Sequence, residues 1–305
     1  MATRLAVIGL GLIGGSLAWA ARLSGAYSVT GFDAAPGVAG EAARLGAVDA
    51  AADSPAEAAD GAQLVVVATP PLTVVEVCLA AAPACRAGTV LTDVAGFKGR
   101  VVAGLAGRLG PGVTFVGGHP MAGSERSGLA AADPGLFRGA PYAIIGEPAG
   151  RGADELESKE EGRAARRKAV AAVEGLARAI GARPLMMGAA DHDRAVGVVS
   201  HLPYLLAVSL CLEAQEPGLL DLAAGALRDA TRVAAGPPEM GFGMCAGNAE
   251  ECARAWESLK QRMDELISSL GAGSTDSGVP AEVAGAAAFR RRWAGAAGGA
   301  PAGKG

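Results

Sequence analysis

Short runs of β-branched residues alternate with Ala- and Leu-rich stretches over residues 4–146. The runs are apolar almost without interruption, which is typical of strands that are buried on both faces of a parallel sheet. The stretches between them have helical length and periodicity, so the pattern predicts the βαβ units of an α/β, doubly wound parallel sheet. The predicted strands are Leu5–Ile8, Ser28–Phe32, Leu64–Ala68, Thr89–Leu91, Thr114–Val116 and Tyr142–Ile145. The predicted helices are Ile13–Leu23, Gly37–Leu45, Leu72–Ala82 and Lys98–Leu109.

The pattern changes after residue 146. Residues 147–168 are rich in Gly, Glu, Lys and Arg, which indicates an exposed hinge that runs into a helix. Helical periodicity predominates beyond it, with one short extended piece at Pro184–Met187. The helical patterns lie at about 164–180, 190–214, 218–234 and 247–270.

The last segment, residues 271–305, is dominated by Gly, Ala, Ser and Pro. Its one cluster is Arg290-Arg291-Arg292 beside Trp293, so we expect a flexible tail with one short helix. The chain is therefore predicted to have three parts. They are an α/β domain over residues 1–150, a mostly α-helical domain over 164–270 and a tail over 271–305.

Composition excludes several classes of protein. Half of the 305 residues are hydrophobic and 19% are charged, so the chain as a whole is not disordered. The formal net charge of −4 lacks the positive charge that nucleic-acid binding requires. Five cysteines without a CxxC pair and only three histidines predict no metal site, and they favour reduced thiols in a cytoplasmic protein.

Two apolar stretches resemble targeting or membrane segments. The N-terminal stretch contains Gly9, Gly11 and Gly14 at spacings that a nucleotide-binding turn needs, and signal-peptide cleavage would destroy that turn. The second stretch, Ala195–Leu212, is interrupted by polar residues and by Pro203, which favours a buried helix over a membrane span. We therefore expect no membrane association.

The glycines of Gly9-Leu10-Gly11-Leu12-Ile13-Gly14 follow a predicted strand and open a predicted helix. In that context they serve a tight turn, the approach of a pyrophosphate and close packing of helix on sheet. Leu12 and Ile13 begin the helix, whose unpaired N–H groups face the phosphates. The motif predicts a dinucleotide cofactor.

Asp33 ends the second predicted strand, nineteen residues after Gly14. A carboxylate there accepts hydrogen bonds from the adenosine ribose and repels a 2′-phosphate, so NAD is favoured over NADP. The alternative is an ordinary turn residue that caps the next helix. Thr69 and Pro70 follow another strand at the carboxyl edge of the sheet, where such cofactors lie, and we assign them to the same site.

A polar loop, Gly117–Gly128, follows the strand Thr114–Val116 and contains His119, Ser124 and Glu125. Polar loops at the edge of a sheet frequently carry catalytic groups. His119 is a candidate general base for a substrate hydroxyl, with a surface histidine as the alternative. As a base it must be neutral, so activity is expected to fall below its pKa.

Arg228 and Arg232 are four residues apart on one predicted helix and therefore lie on one face. They can present two cations to a dianionic substrate. The alternative is a solvated pair that makes surface salt bridges with Asp229 or nearby Glu residues.

These motifs together resemble the prephenate and arogenate dehydrogenases of tyrosine biosynthesis, over roughly residues 4–270. The loop HPMAG with Glu two residues later is the most specific of them. The segments that carry the resemblance are GLGLIGGSLA at 9–18, DVAGFK at 93–98, GGHPMAGSERSG at 117–128, LFRGAPYAII at 136–145, SHLPY at 200–204 and LRDATR at 227–232.

The resemblance implies a Rossmann-type domain joined to a helical domain that also forms a homodimer. The implied reaction is the NAD-dependent oxidative decarboxylation of prephenate to 4-hydroxyphenylpyruvate. His119 would hydrogen-bond the ring hydroxyl that is oxidised, and Arg232 would hold a substrate carboxylate. Asp93, which opens DVAGFK, is assigned to the cofactor site, and His201 and Tyr204 of SHLPY to the substrate site.

The sequence departs from the family pattern at three positions. Gly96 replaces the usual serine, so one hydrogen bond is missing or is supplied by Ser124. Tyr204 replaces a histidine and Gly241 a tryptophan, which leaves open the choice between prephenate and arogenate or the use of both. His192 and His201 are about half a helical turn out of phase, so His192 is expected at the surface, at the start of a helix.

Two other functions are considered. A β-hydroxyacid dehydrogenase shares the glycine turn, but its catalytic Lys and Asn, one helical turn apart, do not occur between residues 165 and 260. A non-catalytic NAD-binding sensor would be expected to lack His119 and Arg232, and both are present.

Overall fold

A computed structural model of the chain describes residues 2–146, 160–271 and 279–297. Its centre is one eight-stranded sheet in the order β3-β2-β1-β4-β5-β6-β7-β8. Strands β1 to β6 are parallel, β7 runs antiparallel to β6, and β8 runs parallel to β7. The strands are β1 Thr3–Ile8, β2 Tyr27–Phe32, β3 Ala50–Ala51, β4 Leu64–Val67, β5 Val90–Asp93, β6 Thr114–Pro120, β7 Pro141–Ile145 and β8 Arg183–Met187.

Helices cover both faces of the sheet and form most of the chain after β8. Those that precede β8 are α1 Leu12–Leu23, α2 Val38–Arg44, α3 Pro55–Ala59, α4 Val74–Ala81, α5 Gly99–Leu105 and α6 Glu160–Ala179. Those that follow it are α7 Ala189–Val196, α8 Leu202–Glu213, α9 Gly225–Thr231, α10 Pro238–Gly247, α11 Ala249–Gly271 and α12 Ala281–Ala297. A π-helical segment, Gly197–His201, joins α7 to α8.

The strands alternate between two apolar layers. In β1 and β4, the side chains of Leu5 and Val66 belong to one buried cluster and those of Ile8 and Val65 to the other. Each fully buried Val, Leu or Ile side chain contributes about 1.5–3 kcal/mol relative to exposure. The predicted doubly wound α/β fold is thereby confirmed, and the order 3-2-1-4-5-6 puts the switch point between β1 and β4.

Residues 164–187, predicted to belong to the helical domain, pack with the α/β domain. The apolar stripe Ala169, Val173 and Leu176 of α6 lies in the core cluster of the α/β domain, and β8 extends its sheet. Only long-range contacts show this, because an amphipathic helix packs equally well on a sheet or on helices. Both elements are thus part of the α/β domain, and residues 147–159 of the expected hinge lie outside the described residues.

The sequence patterns missed three short elements: β3, α3 and α10. β3 has two residues and α3 five, too few for a periodicity. In α10, three glycines hide the helical pattern. The α12 helix has 17 residues, longer than the short helix expected in the tail, while residues 272–278 and 298–305 lie outside the described residues.

The chain forms two compact units, Met1–Cys252 and Ala253–Gly305. In the first unit, the expectation of a buried helix at Ala195–Leu212 is wrong: Val199 and Leu212 are 65% and 62% exposed, respectively. Of the residues described, Ala189–Glu213 is the one helical stretch whose length and apolar composition would suffice to cross a membrane. The single chain thus exposes an apolar helix face.

Candidate active site

The glycine turn between β1 and α1 has the geometry of a dinucleotide site. Gly9 has a φ of +95°, and a Cβ there would lie 2.5 Å from the Ala68 carbonyl oxygen. A Cβ at Gly14 would lie 1.9 Å from the Gly9 oxygen, so α1 packs too closely for any side chain. A Cβ at Gly11 meets nothing within 4 Å. The first and third glycines are therefore required by packing, whereas the second faces open space.

The N-terminus of α1 is suited to an anion. Gly11 is its N-cap, no side chain caps it, and its first turn has no acidic residue. The N–H groups of Leu12 and Ile13 belong to the first turn, where a helix supplies no carbonyl partner for them. Together with the helix dipole they fit a pyrophosphate, and the residues present therefore fit NAD.

Asp33 is partly buried at the end of β2. One carboxylate oxygen accepts from the Leu10 N–H at 2.7 Å and the other from the Ala35 N–H at 2.8 Å. Asp33 therefore forms the expected local turn and also reaches the glycine turn. Each oxygen retains a lone pair that can accept from a ribose hydroxyl.

Thr69 and Pro70 follow β4 directly beside Gly9, since the Thr69 N lies 3.1 Å from where a Gly9 Cβ would be. The Thr69 hydroxyl is 3.1 Å from that of Thr73. Both residues thus lie at the carboxyl edge of the sheet, next to the glycine turn. Gly123 of the polar loop approaches Ile13, whose Cδ1 is 3.9 Å from a Gly123 Cβ position. The loop therefore reaches the start of α1.

Asp93, which the sequence analysis assigned to the cofactor site, lies in a buried ion pair. Its carboxylate is fully buried, with Oδ2 2.5 Å from the Lys98 Nζ, while Oδ1 accepts from the Gly118 N–H at 3.1 Å. Lys98, also fully buried, donates to the Gly118 carbonyl at 2.6 Å. Burial lowers the pKa of Lys98, and Asp93 counteracts that shift. The pair therefore fixes the peptide before His119, and the assignment of Asp93 to the cofactor site stays a prediction.

His119 lies on β6, where it pairs with Ala143 of β7, and not in the loop after a shorter strand. Its Nδ1 is 2.9 Å from the His192 Nε2. The His192 Nδ1 is in turn 2.7 Å from the Asp193 Oδ1, and that carboxylate also accepts from the N–H groups of Lys98 and Gly99, each at 2.7 Å. These contacts form a continuous chain from β6 to the start of α5.

The prediction that His192 lies at the surface is wrong, because its side chain is 1% exposed. The predicted phase between His192 and His201 assumed an uninterrupted α-helix. The segment Gly197–His201 is π-helical, and a π turn holds more residues than an α turn, which changes the phase of everything after it. All three histidines of the sequence thereby approach one another.

The pKa of His119 is held well below its ordinary value of 6.5. Burial is the main cause, and the nearby His192, Lys98 and His201 add to it by disfavouring another positive charge. His119 is therefore neutral at physiological pH and able to accept a proton.

His201 is fixed by Asn248, whose amide Nδ2 donates to the His201 Nδ1 at 3.2 Å and to the Asp193 backbone oxygen at 2.8 Å. The proton of the neutral ring is thus on Nε2. That atom is buried without a hydrogen bond of ordinary geometry, although the Gly96 carbonyl is near enough to raise the pKa. Burial outweighs this effect and lowers the pKa of His201. Its Nε2–H is therefore available for a ligand oxygen.

Gly96 lies against this group: a Cβ there would be 3.7 Å from the His201 Nε2 and 3.0 Å from the Met244 Sδ. Ser124 accepts from the Arg126 N–H at 3.2 Å and is exposed. The contacts of Ser124 thus lie within its own loop and do not include His201.

Arg232 and Glu125 approach each other, with 3.5 Å between the Arg232 Nη1 and the Glu125 Oε2. The contact links the polar loop to the end of α9. Arg228 instead lies 3.5 Å from Asp229, with both side chains 79% exposed, as in the alternative of a surface pair. Arg232 is thus the better placed of the two for a substrate in this site.

Tyr204 fills the space beside Gly241. A Cβ at Gly241 would lie 2.1 Å from the Tyr204 Cζ, so a side chain at 241 and the present ring position exclude each other. Burial raises the pKa of the Tyr204 phenol, with Cys245 a further cause, and the phenol is neutral at physiological pH. The two departures from the family pattern at positions 204 and 241 are therefore one coupled change.

Sequence reasoning missed four residues of this site: His192, Asp193, Lys98 and Asn248. Lys98 ends the DVAGFK motif, and His192 is one of only three histidines in the sequence. Both facts could have marked Lys98 and His192 as candidate site residues from the sequence alone. No local signal singled out Asn248, whose contacts lie 47 and 55 residues away along the chain.

Family models of known proteins match two parts of the chain. The family model described as prephenate dehydrogenase, nucleotide-binding domain, matches residues 17–157, and that described as prephenate dehydrogenase, dimerization domain, matches residues 188–279.

Among curated proteins, a prephenate dehydrogenase of Lactococcus lactis subsp. cremoris is 30% identical over 272 residues, covering 86% of this chain and 70% of that protein. A cyclohexadienyl dehydrogenase of Zymomonas mobilis subsp. mobilis is 31% identical over 250 residues, covering 77% of this chain and 78% of that protein. Among solved structures, prephenate dehydrogenase from A. aeolicus, in complex with hydroxyphenyl propionate and NAD+, has a TM-score of 0.82 at 25% identity. That match covers 96% of this chain and 98% of the other.

The two matched family models together cover more than half of the chain, and the first of them includes Asp33 and His119 within its matched range. The chain belongs to the prephenate dehydrogenase family of NAD-dependent oxidoreductases.

Proposed function

We propose that this chain catalyses the NAD-dependent oxidative decarboxylation of prephenate to 4-hydroxyphenylpyruvate, with His119 as the general base. The observation that carries the proposal is the environment of His119. This half-buried imidazole has a pKa well below 6.5, and it lies on β6 ahead of a loop that reaches both the cofactor turn at Ile13 and the cation Arg232.

NAD, when bound along the glycine turn and Asp33, accepts the hydride from the carbon that bears the ring hydroxyl. His119 accepts the hydroxyl proton, a contribution of about 10²–10⁴ in rate for a positioned base. Oxidation of the ring alcohol gives a carbonyl conjugated to the carbon that bears the carboxylate, and aromatisation then drives loss of CO₂. The main task of the protein is therefore positioning.

Arg232 is suited to hold one of the two substrate carboxylates, because a guanidinium can form two parallel hydrogen bonds with a carboxylate. In the single chain Arg232 contacts Glu125, so a substrate carboxylate competes with that side chain. The buried Nε2–H of His201 supplies a further donor. Arg228 and Ser124 are assigned to the periphery of the substrate site.

Arogenate, alone or together with prephenate, is the second candidate substrate. Tyr204 is compatible with either compound: its phenol stands beside Gly241, and the family resemblance places both positions near the substrate side chain. A neutral phenol can accept from an ammonium group or donate to a keto oxygen. The relative named cyclohexadienyl dehydrogenase adds to this candidate.

We also propose a homodimer through the helical domain, in the cytoplasm. One helical stretch exposes the apolar residues Val198, Val199 and Leu205, and such a patch indicates a protein–protein interface. The family model that matches this region is described as a dimerization domain. The cysteines Cys78, Cys85, Cys211, Cys245 and Cys252 are all free thiols, as a reducing compartment maintains them.

The test is NADH formation with prephenate and with arogenate, each with NAD and with NADP, for the wild type, His119→Asn and Arg232→Gln. We expect turnover with NAD, a loss of about 10²–10⁴ in kcat for His119→Asn, and a raised KM for Arg232→Gln. Turnover of arogenate alone would select the second candidate. Absence of turnover with both compounds would reject the enzyme proposal in favour of an NAD-binding sensor.

A further inference from the structure

His192 and Asp193 lie behind the proposed base and connect it to a buried carboxylate. The three side chains are joined by contacts of 2.9 Å and 2.7 Å, and His192 is 1% exposed. Asp193 is fixed independently by the N–H groups of Lys98 and Gly99. Geometry of this kind orders both rings without help from a ligand.

The direction of the hydrogen bonds follows from the carboxylate. An ionised Asp193 can only accept, so the His192 Nδ1 carries a proton. A neutral His192 then has a bare Nε2, which accepts, and the proton of the neutral His119 must be on Nδ1. The His119 Nε2 is left as the lone pair that faces away from His192.

We propose that His192 and Asp193 form a proton relay behind His119, in which His192 takes over the proton that His119 loses from Nδ1. The inference rests on the proposed function, with His119 as the base. The hydroxyl proton moves to the His119 Nε2, and the Nδ1 proton of His119 moves to the His192 Nε2. His119 ends neutral with its proton on Nε2, and His192 ends as an imidazolium beside the Asp193 carboxylate.

The charges around the relay favour this displacement. His119 is surrounded by Lys98, His192 and His201, which disfavour a second positive charge there. His192 lies directly against Asp193, whose pKa is lowered by its hydrogen bonds to His192, Gly99 and Lys98 despite burial. The Asp193 carboxylate thus lies 2.7 Å from the His192 ring, where it attracts a proton arriving from His119.

Other titratable groups near His119 do not substitute for His192. Lys98 is already paired with Asp93. Burial and Asp93 raise the pKa of Tyr142, which stays neutral, and its hydroxyl lies near Gly118 on the same strand as His119. The Nδ1 of His201 accepts a hydrogen bond from Asn248 and is therefore occupied. Of the described side chains, His192 alone contacts the Nδ1 of His119.

The first test compares His192→Gln with His192→Leu in single-turnover reactions with NAD and prephenate. Glutamine retains an acceptor for the His119 Nδ1–H but cannot take up a proton, whereas leucine removes both functions. We expect about a tenfold loss of rate for His192→Gln and about 10²-fold for His192→Leu, with unchanged KM values. The wild-type rate should depend on the D₂O fraction in a curved manner and that of His192→Gln linearly.

Asp193→Asn should lower the rate and move the acid limb of the pH profile to lower pH, because an amide stabilises an imidazolium less well than a carboxylate does. The matched control is Asp191→Asn, which makes the same change two residues away at an exposed side chain paired with Arg194. It should leave rate and pH profile unchanged. A wild-type rate in His192→Gln, or a curved D₂O dependence that persists in it, would refute the relay.

A second measurement needs neither a variant nor turnover. Nitrogen-15 NMR of the wild type should show His119 and His192 protonated on Nδ1 and His201 on Nε2, and three histidines are readily assigned. His119 protonated on Nε2 at neutral pH would overturn the relay. If these tautomers are found but prephenate and arogenate are not turned over, the function fails and the hydrogen-bond chain stands.

Discussion

Replacement of Gly241 by alanine tests the packing of Tyr204 directly. The backbone of Gly241 in α10 is ordinary, so alanine brings no strain of its own and gains about 0.8–1.0 kcal/mol in helix propensity. Against this, the new Cβ would lie 2.1 Å from the Tyr204 Cζ and 2.4 Å from its Cε2. Tyr204 is half-buried, so displacing its ring costs at most the ~1–3 kcal/mol of overpacking in a core. Gly241→Ala should therefore lower the free energy of unfolding by up to about 2 kcal/mol.

The effect of Gly241→Ala on the free energy of unfolding should change sign when the Tyr204 ring is absent. In a Tyr204→Ala background only the propensity remains, and Gly241→Ala should stabilise by about 1 kcal/mol. The matched control is Gly40→Ala within α2, where a Cβ meets nothing within 4 Å, and it should stabilise by about 1 kcal/mol in either background. Urea unfolding of the four proteins of the cycle measures this. Equal effects of Gly241→Ala in both backgrounds would refute the proposed contact.

Two further outcomes are expected. Because the base must be neutral and the pKa of His119 lies well below 6.5, kcat/KM should stay constant at neutral pH and fall only in the acid range; a profile without an acid limb, or with one centred above 6.5, would contradict this. Lys98→Met leaves the buried Asp93 unpaired and should lower the free energy of unfolding in urea by about 3–5 kcal/mol. Much of that loss should be recovered by Asp93→Asn in the same chain, because the amide is neutral and its oxygen still accepts from the Gly118 N–H; failure to recover it would argue against an ion pair as the cause.

The buried pair of Lys98 and Asp93 and the chain from His119 to Asp193 share one location. Lys98 contributes its ammonium to the Gly118 carbonyl and its backbone N–H to Asp193. The segment between β5 and α5 thus holds both the peptide before His119 and the carboxylate behind His192. We expect substitutions in this segment to affect catalysis even without substrate contact.

The sequence alone determined six of the eight strands of the sheet, the glycine turn and the polar segment that contains His119. These features depend on local rules: continuous apolar runs mark strands that are buried on both faces, and the spacing of Gly9, Gly11 and Gly14 is fixed by the turn itself. Asp33 was identified in the same way, from its distance to that turn. Such signals can be read without knowledge of distant contacts.

Only the tertiary structure decided where α6 packs, what Asp93 binds and how His192 enters the site. Each depends on a contact between residues far apart in sequence, such as that of His119 with His192 or of Tyr204 with Gly241. The phase of His192 relative to His201 was misjudged because a π-helical segment interrupts the α-helical repeat, and no local pattern announces it. Burial and pairing of charges are properties of the assembled fold, and for that reason the relay behind the base became visible only there.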